Sequence, residues 1–178
     1  MTTDEELIRQ KSGFRLDIGC GDNVQPGFVG MDLQPFPGVG IVWDWLQIPW
    51  TPIESESVIQ AIATHVVEHI PRLLHIDGKT RWMFIEFMNE VWRVLKPDAQ
   101  FAIIAPYCYS DGYLQDPTHV NPIHEKLWLY FDPEAHGGVF WEFYKPKPWK
   151  LEWISYDPAA NMELLLTKRG TWTKKTTP

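Results

Sequence analysis

Cysteine is scarce in this sequence, which contains only Cys20 and Cys108 among 178 residues. Two thiols cannot form the disulfide framework of a small secreted scaffold, and their spacing is not that of a metal-binding motif. No segment approaches the roughly 18 consecutive apolar residues of a membrane span, and the opening MTTDEELIRQ lacks the apolar core of a signal peptide. These absences predict a cytoplasmic protein without a membrane span.

Basic residues are also few, with 16 Lys and Arg against 23 Asp and Glu and a net charge of -7. Because Lys and Arg contacts to phosphate supply most non-specific affinity for nucleic acid, this balance argues against a nucleic-acid partner. A basic cluster near the end of the chain lies in a Thr-rich tail that we expect to be solvated. Its members are Lys168, Arg169, Lys174 and Lys175. None of these features predicts an oligomeric state.

Short apolar runs bounded by Gly or Pro predict most of the strands. They cover residues 14–18, 28–33, 39–43, 57–64 and 101–105. Residues 151–156 and 162–167, joined by DPAAN, predict a hairpin.

Two segments predict helices. The apolar stripe between Thr80 and Lys96 is typical of an amphipathic helix, and the capping-box pair Thr3 and Glu6 predicts a short one over residues 3–11. Alternating strands and helices predict a single α/β domain over residues 1–178 with a largely parallel sheet. Residues 107–149, rich in Pro, His and aromatic side chains, are expected to form a lid or insertion between strands five and six.

A glycine pair and an acid stand where a nucleotide ligand could bind. In LDIGCGD, Gly19 and Gly21 follow the first strand, and missing side chains let backbone N–H groups approach a ligand closely. A plain turn that requires glycine is the alternative. Asp32 ends the next strand, where a carboxylate can accept both hydroxyls of a ribose.

These motifs resemble, in order, those of class I S-adenosylmethionine-dependent methyltransferases. LDIGCGDN is similar to their first motif, VGMDL to the ribose-binding acid motif, WDWLQIPW to the adenine motif, ATHVVEHI to the fourth strand, and EVWRVLKPDAQFAIIAPY to the following helix and strand. The resemblance covers residues 14–106. It implies a Rossmann-like seven-stranded sheet of order 3-2-1-4-5-7-6 with an antiparallel edge hairpin, and S-adenosylmethionine as cofactor. The cofactor-binding residues that it implies are Asp17, Gly19, Cys20, Gly21, Asp32, Leu33, Asp44, Trp45, Thr64 and His65.

The connection from Gly21 to Phe28 is too short for the three-turn helix that usually joins these strands. The sequence therefore predicts a short form of the fold in which this first helix is missing or reduced to one turn. The same spacing, and the absent third glycine, count against a nicotinamide or flavin enzyme.

His65, Glu68 and His69 form an HxxEH pattern that is found in zinc peptidases. We expect His65 to end a strand rather than share a helix face with His69, and no downstream acid is evident as a third ligand. The prediction is therefore that no metal binds, with a zinc hydrolase using these three residues as an alternative.

The DPTH motif supplies the candidate catalytic residues. A methyl transfer to oxygen or nitrogen needs the acceptor proton removed, and His119 assisted by Asp116 could remove it. A loop anchor after an Asx turn is the alternative for both residues. The resemblance places His65 near the transferable methyl group, and His65 is the third candidate.

The function predicted from these patterns is methyl transfer to a small-molecule, glycan or lipid-precursor acceptor. A non-catalytic S-adenosylmethionine-binding partner protein is the alternative, and an acceptor pocket under residues 107–149 would discriminate between the two. The aromatic residues between Trp128 and Tyr144 are expected to cap the core. The more specific alternative is that they form a pocket in which a ligand stacks.

Overall fold

The computed structural model describes residues 12–170 and residue 172. The predicted opening helix over residues 3–11 lies outside this range. The strands are β1 (Phe14–Ile18), β2 (Val29–Asp32), β3 (Val39–Val42), β4 (Val58–Thr64), β5 (Leu74–Ile76), β6 (Lys79–Arg81), β7 (Leu95–Pro106), β8 (Trp149–Tyr156) and β9 (Asn161–Lys168). The α-helices are α1 (Met83–Val94), α2 (Asp111–Leu114) and α3 (Trp141–Tyr144), and short 3-10 helices cover Val67–His69, Glu125–Tyr130 and Ala135–Gly138.

Seven strands form one sheet in the order β3-β2-β1-β4-β7-β9-β8. The neighbours from β3 to β7 are parallel, while β9 is antiparallel to both β7 and β8. The α/β class and the antiparallel edge hairpin are therefore confirmed. The numbering differs from the predicted 3-2-1-4-5-7-6 because a separate hairpin, β5–β6, precedes the fifth strand of the main sheet.

The predicted helix over residues 80–96 is shorter in the structure. Its start was wrong because Lys79–Arg81 pairs with Leu74–Ile76 as the second strand of the hairpin. Its end was wrong because Leu95 already begins β7, which also extends beyond the predicted 101–105. The remaining helix α1 buries Phe84, Phe87, Met88 and Val91 against the sheet, as its apolar stripe predicts.

The connection between β1 and β2 contains turns and no helix, and every residue of it is described. This confirms the short form of the fold. The parallel strands β1 and β2 are almost continuously buried, as expected for central strands covered on both faces.

The final strand β9 alternates buried and partly buried positions. Its period of two places Lys168 on the same inward face as Leu164 and Leu166, and Lys168 is only 2% exposed. The expectation that Lys168 is solvated was therefore wrong. Its ammonium donates to the carbonyl of Leu95 at 2.7 Å and lies 3.9 Å from the centre of the Trp92 ring.

Within residues 12–170 and residue 172, none of the helices has the length and apolar character needed to cross a membrane.

Candidate functional site

The loop after β1 is the first part of the site. Gly19 donates to the carbonyl of Met31 at 2.7 Å, which folds the loop over the end of β2. Gly19 and Gly21 have φ values of +65° and +56°, a region that favours glycine. A Cβ atom at Gly19 would lie 2.4 Å from the Cγ2 atom of Val66, whereas one at Gly21 would meet nothing within 4 Å. The loop is thus packed at Gly19 and open at Gly21.

Asp32 lies buried at the carboxyl end of β2, beside this loop. Its Oδ2 accepts the backbone N–H of Gly21 at 2.9 Å, and its Oδ1 accepts that of Gln34 at 3.1 Å. Since a carboxylate oxygen can accept two hydrogen bonds, each oxygen retains capacity for a hydroxyl group. The next residue, Leu33, is exposed.

Asp17 and Cys20 support the loop from inside. Oδ2 of Asp17 accepts the backbone N–H of Gln25 at 2.9 Å and so fixes the segment that replaces the usual helix. Burial raises the pKa of Asp17 above its ordinary value. Burial, together with the charges of Asp17 and Asp32, raises the pKa of Cys20 to about 11. The thiol is therefore protonated at neutral pH and is not a nucleophile.

The end of β3 completes this side of the site. Trp43 donates from its backbone to the carbonyl of Asp32 at 2.9 Å, which brings the next two residues beside the end of β2. Oδ1 of Asp44 accepts the backbone N–H of Leu46 at 2.8 Å in an Asx turn. The ring of Trp45 lies 3.5 Å from the position of a Cβ atom at Gly19. The residues predicted for the two halves of the cofactor thus adjoin one another.

The chain leaves β4 at Thr64, which is exposed. His65 follows in the left-handed region with φ of +56°, and its backbone N–H donates to Ile104 at 2.8 Å. Its Nδ1 lies 3.3 Å from Oε1 of Glu68. This contact raises the pKa of His65, and Asp157 adds to the effect.

Asp116 forms the Asx turn that was the structural alternative for the DPTH motif. Its Oδ1 accepts both the backbone N–H and the hydroxyl of Thr118, at 2.8 and 2.6 Å. Oδ2 lies 3.7 Å from Nε2 of His119, which is beyond hydrogen-bonding distance. The Nδ1 of His119 instead lies 2.9 Å from the carbonyl oxygen of Tyr113. A backbone carbonyl, rather than Asp116, orients the imidazole.

Two backbone hydrogen bonds bring the DPTH segment onto the end of β4. Val120 and Asn121 both donate to the carbonyl of Glu68 at 2.9 Å. The side chain of Asn121 is fully buried and donates to Val67 at 2.9 Å. As a result, the ring centres of His69 and His119 lie 4.8 Å apart.

A cavity of about 630 Å³ opens at this junction. Its lining includes His65, His69 and His119 together with Gly112 and Asn161. Residues of the 107–149 segment thus form one wall of a cavity at the carboxyl end of β4 and β7. Sequence reasoning missed that His69 belongs here with His119 and that Asn121 joins their two segments.

The aromatic residues of the segment divide into two groups. Trp128 and Phe131 are buried and pack on Phe84, so they cap the core as predicted. Tyr130 and Tyr144 line a second cavity of about 240 Å³, on the face of α1.

Comparison with solved structures identifies the fold. The chain is similar to a SAM-dependent methyltransferase from Archaeoglobus fulgidus, with a TM-score of 0.58 and 15% identity over 89% of this chain and 87% of that one. It is similar to a methyltransferase from Aquifex aeolicus, with a TM-score of 0.54 and 14% identity over 92% and 86%. It also resembles a chain from a Haloferax volcanii complex between the Trm112 methyltransferase activator and a methyltransferase, with a TM-score of 0.58 and 10% identity over 95% and 89%.

No protein-family model and no curated protein matches the sequence. The structural likeness, at these identities, establishes that the chain has the class I methyltransferase fold.

Proposed function

We propose that the chain is an S-adenosylmethionine-dependent methyltransferase that acts on a small-molecule, glycan or lipid-precursor acceptor. The observation that carries the proposal is the buried carboxylate of Asp32, held by two backbone N–H groups beside a glycine loop that is open at Gly21. A ribose needs an acceptor pair of this kind at this edge of a parallel sheet.

The residues around Asp32 fit the cofactor. Gly21 leaves the loop open for the methionine half, and Asp17 holds the loop in place. Asp44 uses one oxygen for its turn and retains the other for the adenine amino group, with Trp45 beside it. When bound, S-adenosylmethionine supplies an electrophilic methyl group on a sulfonium, which an acceptor atom can take by in-line displacement.

The open cavity beside His65 and His119 has mostly polar lining residues, which favours an enzyme over a non-catalytic partner protein with a flat apolar face there. Gly19 packs against Val66, the neighbour of His65, so the cofactor loop and the cavity share a boundary. In this proposal the acceptor binds in the cavity, and Nε2 of His119 is the candidate base. Residues of the 107–149 segment, including His119, line part of this cavity.

Calorimetry with S-adenosylhomocysteine tests the proposal. Loss of two hydrogen bonds to a charged group costs about 1.5–3 kcal/mol or more, so Asp32→Ala should weaken binding by at least about tenfold. The control variant Glu54→Ala removes an exposed carboxylate that precedes β4, at the end of the strand opposite the site. It should bind S-adenosylhomocysteine like the wild type. Thermal unfolding of each variant shows whether the loop still folds.

A wild-type chain that binds neither S-adenosylmethionine nor S-adenosylhomocysteine at millimolar concentration would overturn the proposal. If binding is found, transfer of labelled methyl groups to a library of metabolites and glycans identifies the acceptor.

A further inference from the structure

Glu68 is a buried acid whose surroundings do not account for it. The residue is fully buried, and neither carboxylate oxygen has a hydrogen-bond partner within the described part of the chain. The Nδ1 atom of His65, on a half-exposed side chain, lies 3.3 Å from Oε1 of Glu68. Because an ionised carboxylate is costly to bury with a single half-exposed partner, a cation on its other oxygen would stabilise the charged form.

Two further imidazoles, of His69 and His119, lie near this carboxylate. One ligand atom from each of Glu68, His69 and His119 lies within 4.8 Å of the other two. Ligand atoms in a tetrahedral zinc site lie about 3.3 Å apart, given metal–ligand bonds of about 2.0–2.1 Å. The widest pair must therefore approach by about 1.5 Å, a movement of the size that side-chain torsions allow.

The hydrogen bonds of both imidazoles leave the same nitrogen available. Nδ1 of His119 contacts the carbonyl oxygen of Tyr113 at 2.9 Å, and a carbonyl can only accept, so Nδ1 carries the proton. The Thr118 hydroxyl gives its proton to the Asp116 carboxylate, and its oxygen must then accept from Nδ1 of His69 at 3.0 Å. In the neutral rings, Nε2 therefore has a free lone pair in both cases.

We propose that Glu68, His69 and His119 bind a divalent cation of the zinc type at the wall of the cavity. Two imidazole nitrogens and one carboxylate oxygen form a typical ligand set for an open zinc site, which keeps a position for a further ligand. The Tyr113 carbonyl and the Thr118 hydroxyl are the outer-shell acceptors that such histidines use. This set differs from the zinc-hydrolase alternative because His119 replaces His65.

The open coordination position predicts which acceptors can bind to the cation. His69 and His119 both line the 630 Å³ cavity, so a ligand in the cavity can reach the cation. An acceptor hydroxyl bound there has a lowered pKa, so its proton leaves to solvent and the oxygen keeps the electron pair. The site thus favours acceptors with an ionisable hydroxyl or thiol group, and with the cation bound His119 is a ligand and not the base. This last step rests on the proposed methyltransferase function, whereas the cation site does not.

Titration of the chelator-treated full chain with Co²⁺ and Zn²⁺, followed by the visible absorption of Co²⁺ and by calorimetry, tests the site. We expect one cation per chain. His69→Gln and His119→Gln should each lower the affinity by about 100-fold or more, and Thr118→Ala by about 10- to 100-fold, the usual cost of losing an outer-shell partner. His75→Gln, which changes an exposed histidine of β5, should leave the affinity unchanged.

Wild-type protein that binds no cation at millimolar concentration would overturn the site, as would the two histidine variants binding like the wild type. Glu68→Gln is interpreted only if its thermal unfolding remains cooperative, because its carboxylate is buried. Calorimetry with S-adenosylhomocysteine on the same samples separates the two proposals. Cofactor binding without cation binding overturns only the cation site, and cation binding without cofactor binding overturns only the methyltransferase.

Discussion

Alanine at Gly19 and alanine at Gly21 separate two constraints on the glycine loop. Both positions have positive φ, which costs an L-residue such as alanine about 1–2 kcal/mol. At Gly21 this is the only penalty, because a Cβ atom there meets open space. Gly21→Ala should therefore destabilise the fold by about 1–2 kcal/mol.

Gly19→Ala adds a steric penalty. Its Cβ atom would lie 2.4 Å from Cγ2 of Val66, a side chain that is itself buried. Overpacking of this kind costs about 1–3 kcal/mol, so the variant should lose about 2–5 kcal/mol in total.

The second mutation Val66→Ala isolates the steric term. It removes the clashing methyl group and alone costs about 2 kcal/mol through lost burial. The double variant Gly19→Ala with Val66→Ala should then lose less free energy of unfolding than the two single variants together, by about 1–3 kcal/mol. Urea unfolding of the four proteins gives the coupling free energy. Additivity within about 0.5 kcal/mol would refute the steric reasoning and leave backbone conformation as the whole effect.

Two further predictions concern the charged contacts of Lys168 and His65. Lys168→Met removes the donor to the buried carbonyl of Leu95 and should lower the free energy of unfolding by about 1–3 kcal/mol. The control Lys150→Met, at an exposed lysine, should change this free energy by less than about 0.5 kcal/mol. Equal urea midpoints for the two variants would show that the buried hydrogen bond of Lys168 does not stabilise the fold. The pKa of His65 is raised by Glu68, so the stability that this pair contributes is complete below the ordinary histidine value of about 6.5 and is lost as pH rises through the raised value. Unfolding of wild type and His65→Gln with chelator present should therefore show a wild-type advantage that shrinks with rising pH, and a constant difference would count against the contact.

The glycine loop could be predicted from the sequence because the sequence signals for it are local. A short apolar run, two glycines and an acid at the end of the next strand specify the loop, and the short connection to Phe28 predicted that the first helix is missing or reduced to one turn. The β5–β6 hairpin was missed although its signal was present. Asp77 and Gly78 form the turn with φ values of +51° and +72°, and an Asp-Gly pair is typical of such hairpins.

The junction of the two histidine segments could not be predicted in the same way. His69 and His119 are fifty positions apart, and their proximity depends on backbone hydrogen bonds from Val120 and Asn121 to Glu68. No periodicity or turn signal in the sequence encodes a backbone contact at that separation. The geometry of Asp116 could not be predicted for a related reason: the DPTH motif permits both an Asx turn and a contact to His119, and the structure shows the turn with 3.7 Å between the Asp116 and His119 side chains.

Asn121 fixes one part of the cavity lining to the sheet. Its buried amide and backbone fix the wall that contains His119 to the end of β4, so this wall cannot move without breaking the hydrogen bonds to Val67 and Glu68. Gln115, which directly follows the short helix α2, also lines the cavity, and the backbone hydrogen bonds of this helix are local. Substitution there can reshape the cavity at little cost to the sheet. The chain therefore separates the residues that could diversify its acceptor range from the residues that hold the fold together.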